Sequence, residues 1–148
     1  MMTDAQLLFS DAQAITVDAA STNVIDLGAV RQIGQGEPMG IAILVDVAAD
    51  FTTGDETYEF ELQTDDSEAF GSAADVHQQL ITAARLTAGS LHVIPLSPSI
   101  LPLLERYIRL RYDVSGTTPT ITVTAWLTPL NMVAGRATIY ADGFNISA

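Results

Sequence analysis

Two histidines are the residues in this chain best suited to metal chemistry. His77 and His92 are the only histidines, they lie 15 positions apart, and no cysteine is present to complete a site with them. Histidine and carboxylate ligands together can bind a transition metal. Histidines without a ligand motif are more often surface residues or hydrogen-bonded residues within a sheet. We therefore predict no metal or cofactor at these positions.

An acidic stretch, residues 65–68, offers oxygen atoms of the kind that Ca²⁺ prefers. It reads Asp-Asp-Ser-Glu and lacks the spaced ligands and central glycine of an EF-hand loop. Adjacent residues of a strand point to opposite faces, so Asp65 and Asp66 converge only if they lie in a turn. The favoured interpretation is a solvated loop after a strand.

Catalytic motifs are also missing from the sequence. Gly34-Gln35-Gly36 lacks the third glycine and the following helix of a dinucleotide-binding loop. Ser10 and Ser67 are not part of a Gly-x-Ser-x-Gly motif. With 18 acidic residues in 148, neighbouring carboxylates arise by chance. We therefore predict that the protein is not an enzyme and has no catalytic residues.

The arginines suggest an interaction surface instead. All six basic residues are arginines, and three of them, Arg106, Arg109 and Arg111, lie in one predicted strand, while Arg31 lies in a glycine-rich loop. By alternation, Arg109 and Arg111 share a polar face with Tyr107. Arginine and tyrosine are enriched in protein interfaces. Candidate interface residues are Arg31, Tyr107, Arg109 and Arg111.

A simpler interpretation of two of these arginines is compatible with the first. Arg109 and Arg111 could pair with Glu59 and Glu61 across one face of a sheet. Such exposed ion pairs contribute little to stability. Both interpretations remain open from the sequence.

Trp126, the only tryptophan, is the fifth candidate interface residue. Alternation places it on the same face as Thr122 and Thr124, opposite the apolar residues of its strand. A large aromatic side chain outside the core indicates a contact surface. Alternatively, this face packs beneath a neighbouring loop or terminus, and residues 1–9 are one candidate.

Strands with a period of two position these residues. Residues 57–63, 106–114 and 120–128 alternate between apolar and polar side chains, as in half-buried antiparallel strands. Residues 41–47 are apolar on both faces and predict a central strand. Shorter strands are predicted at 13–17, 23–27, 90–96 and 138–141. The predicted core residues are Ile43, Val45, Tyr58, Phe60, Leu62, Ile108, Leu110, Ile121 and Val123.

Turns separate these strands every 10 to 15 residues. Residues 52–56 and 115–119 contain glycine and predict hairpins, residues 142–143 predict a turn, and residues 28–38 predict a loop. Residues 76–81 fit a strand or a helical turn, residues 81–86 are equally ambiguous, and residues 99–105 fit a turn or short helix broken by proline. The spacing favours an all-β fold: a single domain over residues 1–148, built as an antiparallel β-sandwich of the jelly-roll type.

Composition excludes several classes of partner. A formal charge of −12 opposes binding to nucleic acid or to an anionic membrane surface. The N-terminus lacks the basic and apolar regions of a signal peptide. At 48% hydrophobic residues and a mean hydropathy of +0.28, the chain does not have the composition of a disordered protein. The absence of cysteine fits folding in a reducing cytoplasm.

Seven segments along the chain form a recognisable series. They are QLLFSDAQA at 6–14, STNVIDLG at 21–28, DFTTGDETY at 50–58, EFELQTDD at 59–66, LERYIRL at 104–110, TVTAWL at 122–127 and YADG at 140–143. In this order they resemble the capsid cement proteins of tailed bacteriophages, the family whose prototype comes from a Bordetella phage. The resemblance spans nearly the whole chain, and the combined order is specific although each segment alone is weak.

The resemblance implies a structural role without catalysis. Members of this family are jelly-roll sandwiches that bind the outer surface of the phage head and bridge major capsid proteins against internal DNA pressure. The implied partners are the major capsid protein and further copies of the chain, with a dimer favoured over a trimer. The alternative hypothesis is a carbohydrate-binding jelly-roll module of a phage fibre or surface protein, suggested by Trp126 and the acidic turns. A hydrolase that uses acid pairs is a third, without motif support.

Overall fold

The computed structural model describes residues 5–29, 36–133, 138–141 and 144–146. These residues form eleven strands and four short 3-10 helices. The strands are β1 (Leu8–Ile15), β2 (Ala19–Ala20), β3 (Ile25–Asp26), β4 (Met39–Val47), β5 (Thr57–Asp65), β6 (Ala74–Ile81), β7 (Leu91–Pro95), β8 (Tyr107–Ser115), β9 (Ile121–Pro129), β10 (Thr138–Ala141) and β11 (Phe144–Ile146). The 3-10 helices are Ala5–Leu7, Ala83–Arg85, Leu101–Leu103 and Leu130–Met132. No helix in these ranges has the length and apolar character needed to cross a membrane.

The strands form two sheets. The six-stranded sheet has the order β1-β9-β4-β7-β10-β11, and the five-stranded sheet has the order β2-β8-β5-β6, with β3 also paired to β8. All pairs are antiparallel except the short pair of β7 with β10. The prediction of an all-β fold built from antiparallel sheets is therefore confirmed.

One hydrophobic core lies between the sheets. It combines apolar side chains of β4 and β9 from one sheet with those of β5 and β8 from the other. In β8, buried and half-buried residues alternate along nearly the whole strand, because alternate side chains point into the core. Within this core, the rings of Phe60 and Tyr112 meet edge to face, with centroids 5.8 Å apart. All nine predicted core residues belong to it, and none is more than 2% exposed.

Both predicted hairpins are wrong. Residues 52–56 lead from β4 in the six-stranded sheet to β5 in the five-stranded sheet, and residues 115–119 lead from β8 back to β9 in the six-stranded sheet. Glycine and aspartate identify a turn, but they do not determine which sheet the next strand joins. Within the described ranges, the connection 66–73 does join neighbouring antiparallel strands, β5 and β6.

Two of the connections that cross between the sheets, 52–56 and 115–119, contact each other. The Asp55 carboxylate accepts hydrogen bonds from the Thr117 backbone N–H at 3.1 Å and from the Thr117 hydroxyl at 3.0 Å. Gly116 has φ +102°, and a Cβ atom there would lie 2.5 Å from the Asp55 carbonyl oxygen. Glycine is therefore required at position 116, both for its backbone conformation and for the close approach of the 52–56 connection.

The remaining predicted elements are mostly found with shifted bounds. The strand predicted at 13–17 begins earlier, as β1, and residues 76–81 belong to a strand rather than a helical turn. The ambiguous segments 81–86 and 99–105 each contain a 3-10 helix. The predicted loop 28–38 is described only at its ends, and the predicted turn at 142–143 lies outside the described residues.

Candidate interaction surfaces

The outer face of the five-stranded sheet brings together three of the predicted interface residues. Tyr107, Arg109 and Arg111 project from β8 on the side away from the core, as alternation predicts, and all three are half-buried. Their β5 partners across the sheet are Asp65, Gln63 and Glu61, respectively. The fourth predicted residue of this kind, Arg31, lies outside the described residues.

Arg111 lies at the centre of a charged group on this face. Its guanidinium contacts the Glu61 carboxylate at 3.0 Å, that of Asp18 at 3.4 Å and that of Asp113 at 3.9 Å. The Glu61 side chain is only 4% exposed. Burial raises the pKa of Glu61, and the hydrogen bond from Arg111 opposes that shift. The predicted ion pair between Arg111 and a β5 glutamate is confirmed, and Arg111 balances a nearly buried charge.

Arg109 does not pair with Glu59, so that half of the ion-pair prediction is wrong. The antiparallel register places Gln63 opposite Arg109, and Glu59 opposite Asp113. The Arg109 Nε donates to Gln63 Oε1 at 2.8 Å, and its guanidinium carbon lies 4.2 Å from the centroid of the Phe70 ring. Alternation identifies the face of each strand, but not the offset between two strands.

Arg106 lies just before β8 and is held by a different acid. Its Nε and one terminal nitrogen donate to the two carboxylate oxygens of Asp26, both at 2.9 Å. Its guanidinium also lies 5.0 Å from the centroid of the Tyr107 ring. This paired geometry raises the pKa of Arg106. The contact joins the start of β8 to β3, the strand that carries Asp26.

Trp126 is buried, which decides between the two interpretations of its strand face. It lies on the outer side of the six-stranded sheet, as predicted, yet only 2% of it is exposed. The chain after β9 folds back over this face. The side chain packs in a small second cluster with Ala42, Leu91, Val93 and Val133, bordered by Leu8, Leu44 and Leu130. The interpretation of an exposed contact residue is therefore wrong and that of a covered face is confirmed, with Leu8 matching the suggestion that residues 1–9 contribute to the cover.

Asp65 is not part of a solvated loop. It is 1% exposed, and its carboxylate accepts hydrogen bonds from the backbone N–H groups of Ser67 at 3.0 Å and Ser72 at 2.8 Å. These hydrogen bonds lower the pKa of Asp65, with the Ser67 bond as the largest cause. Asp65 therefore closes the connection between β5 and β6, while Asp66 and Glu68 are exposed as predicted.

Among the residues that the structure describes, two groups of carboxylates come close enough together to share a cation. Each group has one oxygen per residue within 4.8 Å of the others, and the groups are Glu59, Glu61 and Asp113, and Asp65, Asp66 and Glu105. However, Glu61 is engaged by Arg111, and Asp65 is engaged by two backbone N–H groups. We assign no metal to either group.

The two histidines lie in different sheets, His77 in β6 and His92 in β7. His92 pairs with the core residue Ile43 and is 2% exposed, and its Nε2 lies 3.0 Å from the Ser90 hydroxyl oxygen. Burial lowers the pKa of His92 to about 4. This histidine therefore matches the hydrogen-bonded sheet residue of the simpler interpretation, and it is neutral at pH 7.

An apolar depression at one end of the five-stranded sheet was not predicted. It has a volume of about 260 Å³ and lies between the 52–56 connection and the end of β6. Phe51 and Leu80 line it and are 52% and 55% exposed. The outward position of Leu80 in the strand pattern of residues 76–81 is the signal that could have identified it.

These features define an all-β sandwich protein whose outer surface carries a charged sheet face and an apolar depression. The Bbp16 family, a family of Bordetella phage proteins, matches residues 9–127, which is most of the chain. The chain therefore belongs to the Bbp16 family, and the family indicates a phage structural protein. No curated protein matches the chain.

Proposed function

We propose that this protein is a capsid cement protein that binds the outer surface of a phage head. The observation that carries the proposal is the match to the Bbp16 family over residues 9–127. In this role the protein bridges neighbouring major capsid proteins and so stabilises the shell. It acts as a homo-oligomer, with a dimer favoured over a trimer, after synthesis in the bacterial cytoplasm.

We further propose that the sandwich is a jelly roll. The order of the strands supports this class. Among the described strands, the chain changes sheet at six connections, which are β1 to β2, β3 to β4, β4 to β5, β6 to β7, β7 to β8 and β8 to β9. The resulting orders, β1-β9-β4-β7 and β2-β8-β5-β6, place four strands in each half of a double-sheet fold, with early strands beside late ones.

The chemistry of the surface is compatible with this role. A net charge of −12 suits a protein outside the shell, where it does not contact the genome. The half-buried Tyr107 and Arg109 offer planar, polar groups of the kind enriched in interfaces. Each contact with the capsid can be weak, because many copies on one shell act together.

Binding to heads tests the proposal directly. Purified protein is mixed with mature, expanded heads that lack it, and bound protein is measured by co-sedimentation. We expect saturable binding and a higher temperature of head disruption. Failure to bind the cognate expanded heads would refute the cement function.

The outer face of the five-stranded sheet is tested with Arg109→Ala. The matched control is Arg106→Ala, in which the altered arginine is held by Asp26. If Arg109 contacts the capsid, its variant binds heads more weakly than the control while both unfold at similar temperatures. Equal binding would remove Arg109 from the interface.

The carbohydrate-binding alternative has lost its main support. It required an exposed aromatic platform at Trp126, and that side chain is buried. The hydrolase hypothesis has gained no motif or site from the described residues.

A further inference from the structure

The edge of the five-stranded sheet at β6 is open. In the described part of the chain, β5 is the only strand that pairs with β6. The strand is eight residues long, most of its residues are exposed or half-buried, and it contains no proline or lysine. An edge of this kind presents unpaired N–H and C=O groups that can pair with another extended chain.

Other sheet edges in the described ranges are shorter or covered. β2, at the opposite edge of the same sheet, has only two residues, and β11 has three. β1 is as long as β6, but its pairing with β9 contains two register shifts, against one in the pairing of β6 with β5. The chain around residue 23 also covers β1, since the Asn23 N–H donates to the Phe9 carbonyl oxygen at 2.9 Å.

The apolar depression lies at the C-terminal end of this open edge. Leu80 and Ile81 belong to β6 and form part of its lining, together with Ala83, Ala84 and Phe51. Phe51 and Leu80 are each more than half exposed. An extended chain that pairs with β6 could therefore place an apolar side chain in the depression, which is how strand-addition sites gain specificity.

The charge around this edge selects the partner. Residues 50–84 contain nine carboxylates and no arginine or lysine, and the first basic residue after them is Arg85. The carboxylates are Asp50, Asp55, Glu56, Glu59, Glu61, Asp65, Asp66, Glu68 and Asp75. Glu61 pairs with Arg111 and Asp65 accepts backbone hydrogen bonds, so the acidic character of this edge comes from the other seven. Asp50, Asp55 and Glu56, beside the depression, each accept a hydrogen bond from a threonine hydroxyl. These threonine hydroxyls lower the pKa of all three carboxyl groups, so they are ionised at pH 7.

We propose that β6 and the adjacent depression bind an extended segment of the major capsid protein that carries arginine or lysine residues beside an apolar anchor. The segment adds to the five-stranded sheet as a further strand, and its anchor contacts Phe51 and Leu80. This inference rests on the proposed cement function and names the surface and the chemistry of the partner. A second copy of the chain fits less well, because it would bring two acidic edges together.

The test compares two leucine variants that differ in position but not in exposure. Leu80 and Leu103 are both 55% exposed, and Leu103 lies in a 3-10 helix between β7 and β8. Leu80→Asp and Leu103→Asp are measured for binding to expanded heads, alongside the wild-type protein. We expect Leu80→Asp to lose at least tenfold in affinity and Leu103→Asp to change less than twofold, with similar thermal unfolding for both.

Hydrogen–deuterium exchange of the bound protein supplies the second measurement. Peptic fragments that cover β6 should exchange more slowly on heads than in solution, because added backbone hydrogen bonds protect them. Fragments of β5, which is paired on both sides, should change little.

Each outcome has a definite meaning. If wild-type protein binds heads but both variants bind equally, or β6 gains no protection, the β6 surface is refuted and the cement function stands. If wild-type protein does not bind heads, the cement function and this inference fall together. Protection of β6 in protein without heads, rising with concentration together with a dimer mass, would assign the edge to a second copy and refute the capsid segment as its partner.

Discussion

Replacement of Gly116 by alanine tests the contact between two of the connections that cross the sandwich, 52–56 and 115–119. The added Cβ would lie 2.5 Å from the Asp55 carbonyl oxygen, 2.6 Å from Glu56 Cα and 2.7 Å from the Asp55 carbonyl carbon. All three are backbone atoms, so no side-chain rotation can relieve the contact. The connection at 52–56 must therefore shift.

Gly54→Ala is the matched control. Gly54 has φ +80°, and no atom lies within 4 Å of a Cβ added there. Both variants place a side chain at positive φ, which costs about 1–3 kcal/mol. The Gly116 variant alone adds overpacking, which costs about 1–3 kcal/mol more.

The assay is thermal and urea unfolding of both variants beside the wild-type protein. For a domain of this size, the additional 1–3 kcal/mol corresponds to a melting temperature about 2–12 °C lower for Gly116→Ala than for Gly54→Ala. If the two variants unfold at the same temperature and urea concentration, the close approach of the two connections is not as described.

Three further predictions follow from buried groups. Arg111→Ala should destabilise the protein by about 1–3 kcal/mol at pH 7, because Glu61 loses the partner of its nearly buried charge. The loss should be smaller at pH 4, because burial raises the pKa of Glu61 and a protonated carboxyl group tolerates burial better. Equal losses of the free energy of unfolding in urea at both pH values would contradict this. His92 has a pKa of about 4 in the folded protein and about 6.5 in the unfolded chain, so the unfolded state binds a proton more readily. The free energy of unfolding is therefore unaffected by this histidine above pH 6.5 and falls by roughly 3 kcal/mol as the pH decreases to 4. His92→Gln should remove this part of the pH dependence of unfolding, and a variant with the wild-type pH profile would refute the assignment. Trp126, as the only tryptophan, should show blue-shifted fluorescence with weak acrylamide quenching, and emission like that of free tryptophan would contradict its burial.

The core could be predicted from sequence because alternation is a local property. In β5, β8 and β9, apolar side chains recur at every second residue, and the same side chains fill the space between the sheets. This pattern depends only on the geometry of a strand, so it needs no knowledge of which strands are neighbours. The alternating pattern was therefore enough to predict that these segments are strands and which of their residues lie in the core.

Pairing between strands could not be predicted, because it depends on distant parts of the chain. Residues 52–56 and 115–119 have the composition of hairpin turns, but the sandwich requires the chain to change sheets there. In the same way, the relative offset of β5 and β8 decides that Arg109 contacts Gln63 rather than Glu59. A strand has the same residues whichever sheet it joins and whatever its offset from its neighbour, so its sequence does not reveal either.

Burial of single polar or aromatic residues could not be predicted from the sequence either. Trp126 was placed on the correct face, but its cover comes from Leu8 and from the chain after β9. Asp65 belongs to an acidic stretch typical of solvated loops, yet the turn that follows β5 folds its N–H groups onto the carboxylate. In both cases the environment is built by residues that lie outside the strand itself.

The pairing of β1 with β9 has a consequence for synthesis of the chain. The two strands are neighbours in the sheet, but 106 positions separate Ile15 from Ile121. A ribosome adds about 5–20 residues per second, so β1 waits roughly 5–20 s for the strand that it pairs with. The central strand β4 waits for the same partner. Its other neighbour, β7, is made sooner, since 47 positions separate Leu44 from Leu91. Until these partners are made, the apolar residues 41–45 are unpaired, and this interval is when the nascent chain is most exposed to aggregation and most dependent on chaperones.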